Sequence, residues 1–272
     1  MAGNKKQTTR SNYRLAVDVG NTHTVVGLFQ NTNIKRHWRL ATRKDTTIDE
    51  IACWLRGLNT PEIAATALAS VVPMQDNAWL SALRQTFGVT PRILDYRDCL
   101  KLKLRYEIPS QIGADRLANV LGAEALGVKT GIVIDFGTAT TFDVFANHTY
   151  YGGVICPGIQ TGLRTLVQNA AKLAEPELRW PSVTVGRNTD DAMRIGILSG
   201  SVGMVEHLLS DILKEPAFKT RNPLVLATGG LSSWMKGRTK AIQRFEPDLT
   251  LIGINHLLSG AKPERLMGRS KA

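Results

Sequence analysis

Two stretches of the chain share one pattern of apolar and polar positions. Each begins with apolar residues (three β-branched ones in the second stretch), reaches an aspartate and a glycine among small and hydroxyl residues, and returns to apolar positions. The stretches are 15–29 (LAVDVGNTHTVVGLF) and 132–145 (IVIDFGTATTFDVF). This pattern predicts two antiparallel strands joined by a tight turn. One constant offset aligns three pairs of residues: Asp18 with Asp135, Gly20 with Gly137 and Thr24 with Thr141. We therefore predict two copies of one supersecondary unit, each opening about half of the chain.

The remaining pattern alternates between short apolar runs and helical spacing. Third strands are predicted after the two hairpins, at 35–40 and 150–157. Buried strands are predicted at 65–72 and 224–230, and another short strand at 90–94. Helices are predicted at 46–58 (with Thr47 as N-cap), 76–87, 114–127, 159–172 and 190–213, the last broken or closely packed around three glycines. Extended segments are predicted at 100–108 and 182–189, and a strand or a helix start at 249–258. These elements indicate an α/β protein with mixed sheets.

Length and repetition together predict the domain organisation. A chain of 272 residues can bury one large core or two ordinary ones, and the repeated unit favours two. We expect a first domain at 14–130 and a second at 131–260, both of the duplicated α/β type. The flanking segments, 1–13 and 261–272, are polar and basic, and we expect a disordered lead-in and a basic tail.

The composition is that of an ordinary globular protein, with 43% apolar and 21% charged residues. No apolar run approaches the length of a membrane span, and no apolar signal-peptide core follows the polar first 14 residues. We therefore expect a cytoplasmic protein without a membrane partner. The cysteines are widely separated and lack metal or redox spacing, so we expect free thiols at Cys53, Cys99 and Cys156.

The formal net charge of +11 raises the question of a nucleic-acid partner. The distribution of this charge argues against a nucleic-acid partner, because residues 1–14 and 261–272 together hold seven of the eleven net positive charges. The rest of the chain is only mildly basic. Solvated tails account for this distribution, and we expect no nucleic-acid partner. A basic balance also suits an enzyme whose substrates carry several phosphate charges.

The two glycine and threonine turns are suited to phosphate chemistry. Such a turn brings backbone N–H groups and hydroxyls close to anything held above it, and the aspartate beside it suits the cation that accompanies a phosphate. The run Gly113-Ala114-Asp115-Arg116 adds a second feature at or just before a predicted helix N-terminus. There the backbone dipole favours an anionic Asp115 and helps to bind other anions. A satisfied N-cap or first-turn aspartate is the alternative interpretation of Asp115.

Several common catalytic motifs are absent from the sequence, including the Walker A lysine motif and the patterns G-x-G-x-x-G, H-E-x-x-H and G-x-S-x-G. Phosphoryl transfer needs a cradle for the nucleotide phosphates, a metal that spreads charge, and a group that positions the acceptor hydroxyl. The two aspartate-led turns and the Asp115-Arg116 helix start could supply each of these parts.

Seven motifs, in this order, resemble those of the type III pantothenate kinase family. They are D-V-G-N-T-H-T at 18–24, S-V-V-P at 70–73, Y-x-x-P-x-x-x-G-A-D-R at 106–116, D-F-G-T-A-T-T at 135–141, G-G-V-I-C-P-G at 152–158, G-R-N-T at 186–189 and A-T-G-G at 227–230. The resemblance spans residues 14–258 and implies the acetate kinase, sugar kinase, Hsp70 and actin fold, with two duplicated ribonuclease H-like domains and usually a homodimer. It also implies ATP-dependent phosphorylation of pantothenate, the first step of coenzyme A synthesis, with Mg²⁺ and a monovalent cation, K⁺ or NH₄⁺.

The resemblance further implies roles for individual residues. Asp115 would be the catalytic base facing the primary hydroxyl of pantothenate, and Asp135 would hold the monovalent cation. Substrate contacts would come from Tyr106, Gly113, Ala114, Asp115, Arg116 and Thr189, with Arg116 placed on the carboxylate. The first ATP phosphate loop would comprise Asp18, Val19, Gly20, Asn21, Thr22, His23, Thr24 and Val25, and Thr138 would also contact ATP. The His23 side chain itself is expected to face solvent.

The chain departs from the family pattern at Ile108, where the family often has asparagine before the proline of the tyrosine motif. This difference removes a polar group near the substrate. Two alternatives to pantothenate phosphorylation follow: a kinase of another small polar alcohol, or a non-enzymatic accessory factor linked to transcription, because the family includes proteins named Bvg accessory factors. We favour an active kinase, because every acidic and glycine motif is intact.

Overall fold

The computed structural model describes residues 11–215, 218 and 222–259. Its strands, in chain order, are β1 (Tyr13–Val19), β2 (His23–Gln30), β3 (Asn33–Ala41), β4 (Ile63–Ser70), β5 (Arg92–Ile93), β6 (Lys103–Leu104), β7 (Thr130–Phe136), β8 (Ala139–Ala146), β9 (Thr149–Pro157), β10 (Leu224–Thr228) and β11 (Arg244–Phe245). Its α-helices are α1 (Ile48–Gly57), α2 (Pro73–Phe87), α3 (Ala114–Ala125), α4 (Ile159–Asn169), α5 (Thr189–Arg194), α6 (Gly200–Ile212) and α7 (Leu249–Leu257). The predicted α/β class is confirmed, because the strands form two mixed sheets flanked by helices.

The chain divides into two compact units, each with its own sheet. The first unit comprises the chain up to Lys101, the segment Ser110–Gly122, and the chain from Thr250 onward. The second comprises Leu102–Pro109 and Ala123–Leu249. The expected cut between residues 130 and 131 follows chain order, whereas the units follow packing, which returns most of α7 to the first unit.

The two sheets repeat one topology. Their strand orders are β3-β2-β1-β4-β5 and β11-β10-β7-β8-β9-β6. In each sheet the hairpin and the third strand are antiparallel, and a later strand pairs in parallel with the first strand of the hairpin, β4 with β1 and β10 with β7. A short fifth strand extends the same edge in parallel, β5 in the first sheet and β11 in the second. The predicted duplication is therefore confirmed by the order and direction of five strands.

Helix α1 shows how local sequence sets an element of the first unit. Thr47 is the N-cap, as predicted: its hydroxyl accepts a hydrogen bond from the Glu50 backbone N–H at 3.3 Å, and the Glu50 carboxylate accepts one from the Thr47 N–H at 2.8 Å. This reciprocal pair is a capping box, which satisfies two backbone donors that have no partner within the helix. The apolar positions of the helix, Ile51 and Leu55, are 1% exposed and pack in the core of this unit.

The two hairpins differ by one residue in their turns. Three residues, Gly20 to Thr22, separate β1 from β2, whereas only Gly137 and Thr138 separate β7 from β8. The partner of Val19 is Thr24, and the partner of the equivalent Phe136 is Thr140. Thr24 and Thr140 are both 1% exposed. The alignment of Thr24 with Thr141 is therefore wrong, because the shorter second turn moves its following strand by one position.

The long helix predicted at 190–213 is continuous but contains a π-helical turn in its middle. A π-helical segment, Ile195–Ser199, separates α5 from α6. A Cβ atom added at any of the three glycines of this region, Gly196, Gly200 or Gly203, would meet no atom of the described chain within 4 Å. The predicted break is not found, because the backbone stays helical from Thr189 to Ile212, and the predicted close packing around these glycines is not found within the described chain either.

Other predicted elements change in length or type. Residues 182–189 contain no strand, and only Lys103–Leu104 of the segment 100–108 pairs in a sheet. The segment 249–258 is helical, which resolves the alternative left open by its pattern. Strand β1 begins at Tyr13, the last residue of the expected lead-in, whereas residues 1–10 and 260–272 lie outside the described residues.

None of the three cysteines, all of which lie in the described part of the chain, is joined to another by a disulfide. Across the described ranges, no helix has both the length and the apolar character needed to cross a membrane.

Candidate active site

The first predicted phosphate loop follows β1 in the first unit. Asp18 is half-buried near the end of this strand, between Val25 of β2 and Ala69 of β4. The turn itself is exposed from Asn21 to His23, so the predicted solvent exposure of His23 is confirmed. The Gly20 N–H donates to the His23 carbonyl at 3.1 Å, and a Cβ at Gly20 would lie 2.9 Å from the same oxygen. Glycine is needed here because a side chain would open the turn.

Two threonines anchor the base of this loop. The Thr42 N–H donates to the Thr22 carbonyl at 3.0 Å, and the hydroxyls of Thr24 and Thr42 are 2.9 Å apart. The Thr24 side chain is thus held by a hydrogen bond in the interior, while the backbone of the turn above it stays exposed. A fixed base with an exposed backbone suits a loop that binds phosphate through N–H groups.

The run Gly113 to Arg116 begins helix α3 in the same unit. The carbonyl of Gly113 accepts hydrogen bonds from the backbone N–H groups of Arg116 and Leu117 at 3.1 and 3.2 Å, which start the helix. A Cβ at Gly113 would lie within 3.0 Å of the Asp115 carboxylate, so glycine leaves room for that group. Ala114 and Arg116 are buried, at 8% and 5% exposure.

Valine 71 connects the helix start to the phosphate loop. Its backbone N–H donates to the carbonyl of Val19 at 3.0 Å, and its Cγ1 atom lies 3.6 Å from the Cβ position of Gly113. Val19 immediately precedes the loop, and Gly113 immediately precedes α3. The structure therefore brings the predicted phosphate loop and the predicted catalytic helix start to one end of the first sheet.

The environment of Asp115 shifts its acidity. Burial raises the pKa of the Asp115 carboxyl above 3.8, while the Arg116 backbone N–H at 2.8 Å and the Arg116 guanidinium act in the opposite direction. Desolvation is the larger effect, because a charge loses more by leaving water than these two partners restore. Asp115 is therefore both a first-turn aspartate, as the alternative interpretation has it, and a carboxylate with increased basicity.

The second phosphate loop follows β7 in the second unit. Asp135 lies between Thr141 of β8 and Thr228 of β10. The glycine turn after β10 closes directly on it: Gly229 has φ +88°, and a Cβ there would come within 3.0 Å of the Asp135 carboxylate and of the Phe136 backbone. The structure thus unites the D-F-G-T and A-T-G-G motifs, which are almost a hundred residues apart in the sequence, about a single carboxylate.

The N-terminus of α4 meets the same loop. A Cβ at Gly158, the N-cap, would lie within 3.0 Å of the carbonyl oxygens of Gly137 and Thr138. The Thr161 hydroxyl donates to the Thr138 carbonyl at 2.6 Å. The positive end of an eleven-residue helix thus lies beside Thr138, where it favours a bound anion.

The predicted substrate residues of the second unit lie on separate elements. Tyr106 follows β6, and its ring packs against that of Tyr150 with centroids 6.1 Å apart. Thr189 is the first residue of α5 and is exposed. The substrate-binding roles of Tyr106 and Thr189, like those of the other site residues, stay predictions.

The oxygen-bearing side chains around Asp135 suit a hard cation. Asp135, Thr141 and Thr228 lie side by side on three neighbouring strands and offer only oxygen atoms. The Thr228 hydroxyl is buried and has no hydrogen-bond partner among the described residues. Oxygen ligands are those that K⁺-like and Mg²⁺-like cations prefer. The sequence prediction missed Thr228, although its place between a buried strand and a glycine pair was a signal that could have found it.

Solved structures of similar shape define the class of fold. A protein described as a candidate Baf family transcriptional activator from Campylobacter jejuni has a TM-score of 0.59 at 16% identity, with 90% of this chain and 97% of that chain covered. A candidate 2-dehydro-3-deoxygalactonokinase from Sinorhizobium meliloti has a TM-score of 0.58 at 13% identity, with 91% and 95% covered. The fold is that of the actin-like sugar kinases and ATPases.

Sequence relatives identify the family within this class. A type III pantothenate kinase from Desulfosudis oleivorans is 37% identical over 256 residues, covering 91% of this chain and 99% of the relative. Another from Streptomyces avermitilis is 38% identical over 253 residues, covering 88% and 95%. The model of the type III pantothenate kinase family matches residues 14–211. The chain therefore belongs to the type III pantothenate kinase family.

Proposed function

We propose that this protein carries out the reaction of its family, the ATP-dependent phosphorylation of pantothenate to 4'-phosphopantothenate in coenzyme A biosynthesis. The observation that carries the proposal is the Asp115 carboxylate. It lies at the start of α3, is held by the Arg116 backbone N–H, and is linked through Val71 to the loop that follows β1. A positioned carboxylate beside a phosphate loop is what transfer of a phosphoryl group to an alcohol requires.

Asp115 acts on the acceptor in this proposal. Its carboxylate accepts a hydrogen bond from the primary hydroxyl of pantothenate, orients the oxygen towards the phosphorus, and takes the proton as the new bond forms. The raised pKa makes it a better proton acceptor than an exposed aspartate. Arg116 binds the carboxylate of pantothenate, because a planar guanidinium pairs well with a carboxylate.

The residues of the two loops hold the nucleotide in this proposal. Backbone N–H groups of the loop from Asp18 to Val25, Thr138 and the N-terminus of α4 bind the phosphates, and Asp135 with its two threonine neighbours holds a monovalent cation. Bound Mg²⁺ supplies charge neutralisation for the transferred phosphoryl group. Gly229 keeps the Asp135 carboxylate in place, since its positive φ angle and lack of a side chain let the turn approach that closely.

We also propose a cytoplasmic homodimer that uses K⁺ or NH₄⁺, as the family resemblance implies. A feature of the second unit supports the dimer: Val183 and Val185 are 46% and 76% exposed, and no described residue outside α6 covers its glycines, Gly200 and Gly203, within 4 Å. Exposed apolar side chains of this kind are common at interfaces between protein chains.

A coupled assay of ADP release tests the proposed reaction. Purified protein is incubated with ATP and Mg²⁺, with and without pantothenate and with and without K⁺, alongside a panel of other small polar alcohols. We expect ADP release only when pantothenate is present, and faster release with K⁺. Release that depends on another alcohol and not on pantothenate would favour a different kinase, and no release with any acceptor would contradict kinase activity altogether.

Asp115 is expected to give activity and stability opposite dependences on pH. Its pKa is raised in the folded protein, so folding favours the protonated form and the free energy contributed by this residue falls as pH rises from 3.8 through the raised value. Activity needs the ionised form and rises across the same window. We expect the acid limb of kcat/KM to have its midpoint above 3.8, and the stability advantage of Asp115→Asn over the wild type to grow with pH across that window. An acid limb whose midpoint equals the pKa of an exposed aspartate would contradict the assignment of Asp115 as the base.

A further inference from the structure

A buried carboxylate lies on the sheet of the second unit outside the proposed chemistry. Asp143 of β8 and Tyr150 of β9 are both 0% exposed. The Tyr150 hydroxyl donates to Asp143 Oδ1 at 3.0 Å, and the Thr141 hydroxyl lies 3.5 Å from Oδ2. Burying a carboxylate and a phenol together is costly unless they are hydrogen-bonded, so this pair fixes both side chains in one arrangement.

A β-bulge brings Tyr150 to the side of the sheet where Asp143 lies. The register of β8 and β9 shifts between Val144 and Phe145, so that Phe145 faces Tyr150 rather than Tyr151. In a regular strand pair, the alternation of side chains would have placed Tyr151 on that face. Tyr151 instead packs against the core of the second unit, with its ring 5.7 Å from that of Phe218.

The ring of Tyr150 in turn supports Tyr106. The two ring centroids are 6.1 Å apart with the planes tilted by 37°. The Arg105 N–H donates to the Tyr150 carbonyl at 2.9 Å, which fixes the backbone just before Tyr106. On the other flank, the Cβ position of Gly152 lies 3.6 Å from two ring carbons of Tyr106. A continuous set of contacts therefore leads from Asp143 through Tyr150 to Tyr106.

We propose that Asp143 and Tyr150 are positioning residues that hold the ring of Tyr106 in the geometry that binds pantothenate, and so set the affinity for this substrate. This inference rests on the proposed function, which places Tyr106 in the pantothenate pocket. Asp143 and Tyr150 do not touch the reacting atoms. They act through Tyr106, because the hydroxyl that anchors Tyr150 and the ring face that packs on Tyr106 belong to one rigid side chain.

The variant Tyr150→Phe removes the anchoring hydroxyl and keeps the ring. We expect KM for pantothenate to rise about fivefold, as loss of one buried hydrogen bond of about 1 kcal/mol would predict, while kcat and KM for ATP change by less than about twofold. Tyr151→Phe is the matched control: it is the same substitution at the next position of the same strand, but on the core side. We expect that control to leave all three constants unchanged.

A second pair of measurements separates positioning from a general loss of structure. In a Tyr106→Ala background, Tyr150→Phe should cause no further rise in KM, because the residue through which it acts is gone. Asp143→Asn, which keeps an oxygen for the Tyr150 hydroxyl, should raise KM less than Asp143→Ala. Thermal unfolding of each variant tests whether the protein remains folded. If Asp143→Ala does not fold, the comparison of Tyr150→Phe and Asp143→Asn with the wild type tests the positioning role.

The outcomes distinguish this inference from the proposed function. Absence of pantothenate-dependent turnover in the wild type would overturn the proposed function. Normal wild-type turnover, with Tyr150→Phe indistinguishable from Tyr151→Phe, would overturn the positioning role alone. Equal rises in KM with and without the Tyr106 ring would also overturn it, since the effect would then bypass Tyr106.

Discussion

Replacing Asp115 by asparagine is expected to lower kcat about a thousandfold, as loss of a positioned general base does, while the protein stays folded. Asparagine has nearly the same shape and can still accept the backbone N–H of Arg116. It cannot take a proton, so the hydroxyl of the acceptor would lose its base without losing its binding site. KM for ATP should therefore change little, because the phosphate loops remain intact.

The stability of Asp115→Asn should move in the direction opposite to its activity. Burial raises the pKa of Asp115, which means that the folded protein pays a free-energy penalty when this carboxyl is ionised. A neutral amide removes that penalty, so at neutral pH we expect a melting temperature equal to or above that of the wild type. Activity lost while stability is kept or gained is the expected signature of a residue retained for catalysis.

A matched control is available in the same unit. Asp49 also lies in the first turn of a helix, α1, but it is exposed. Asp49→Asn should leave both kcat and KM within about twofold of the wild-type values, since surface substitutions away from a site have small effects. Steady-state kinetics of the two variants, with thermal unfolding, completes the comparison. An Asp115→Asn variant with near wild-type turnover would exclude Asp115 as the base.

The second large effect is expected at Gly253→Ala, in the middle of α7. A Cβ at this position would overlap the carbonyl of Ala118 and lie 2.9 Å from the Gly122 nitrogen, both in α3. The two helix backbones are in contact here, and backbone atoms cannot rotate away as a flexible side chain can. We expect the free energy of unfolding to fall by about 3 kcal/mol, the upper range for overpacking a core.

Chemical denaturation measures this loss, with Gly57→Ala as its control. Gly57 is the exposed last residue of α1, and a Cβ there would meet no atom of the rest of the described chain within 4 Å. At an exposed helical position alanine is favoured over glycine, so the control should be neutral or up to about 1 kcal/mol more stable. Equal stabilities for Gly253→Ala and the control would show that α7 does not pack on α3 as closely as described.

The elements that sequence predicted well are those specified by local pattern. The hairpins around Asp18 and Asp135 and the N-cap at Thr47 are confirmed because apolar alternation, glycine turns and a threonine just before helical spacing are all visible within a few residues. The position of Asp115 at a helix start is confirmed for the same reason. Each of these features depends on neighbours along the chain.

The features that sequence could not supply depend on distant partners. The one-residue difference between the hairpin turns leaves no trace in the D-x-G-x-x pattern, so the match of Thr24 to Thr141 was wrong. The approach of Gly229 to Asp135 and the bulge that turns Tyr150 towards Asp143 arise from pairing between strands. Packing and register decide such contacts, and a single sequence displays neither.

The packing of α7 on α3 has a consequence for synthesis of the protein on the ribosome. The contact of Gly253 with Ala118 cannot form until residue 253 has left the exit tunnel, by which time the entire second unit has been made. The Thr250 hydroxyl, which donates to Asn119 at 2.7 Å, arrives equally late. Helix α3, which begins with Ala114 and carries Asp115, therefore receives this support only after the second unit has been synthesised. A chain interrupted before α7 would contain the proposed base and both phosphate loops, yet lack the helix that packs on α3, the helix that begins beside the base.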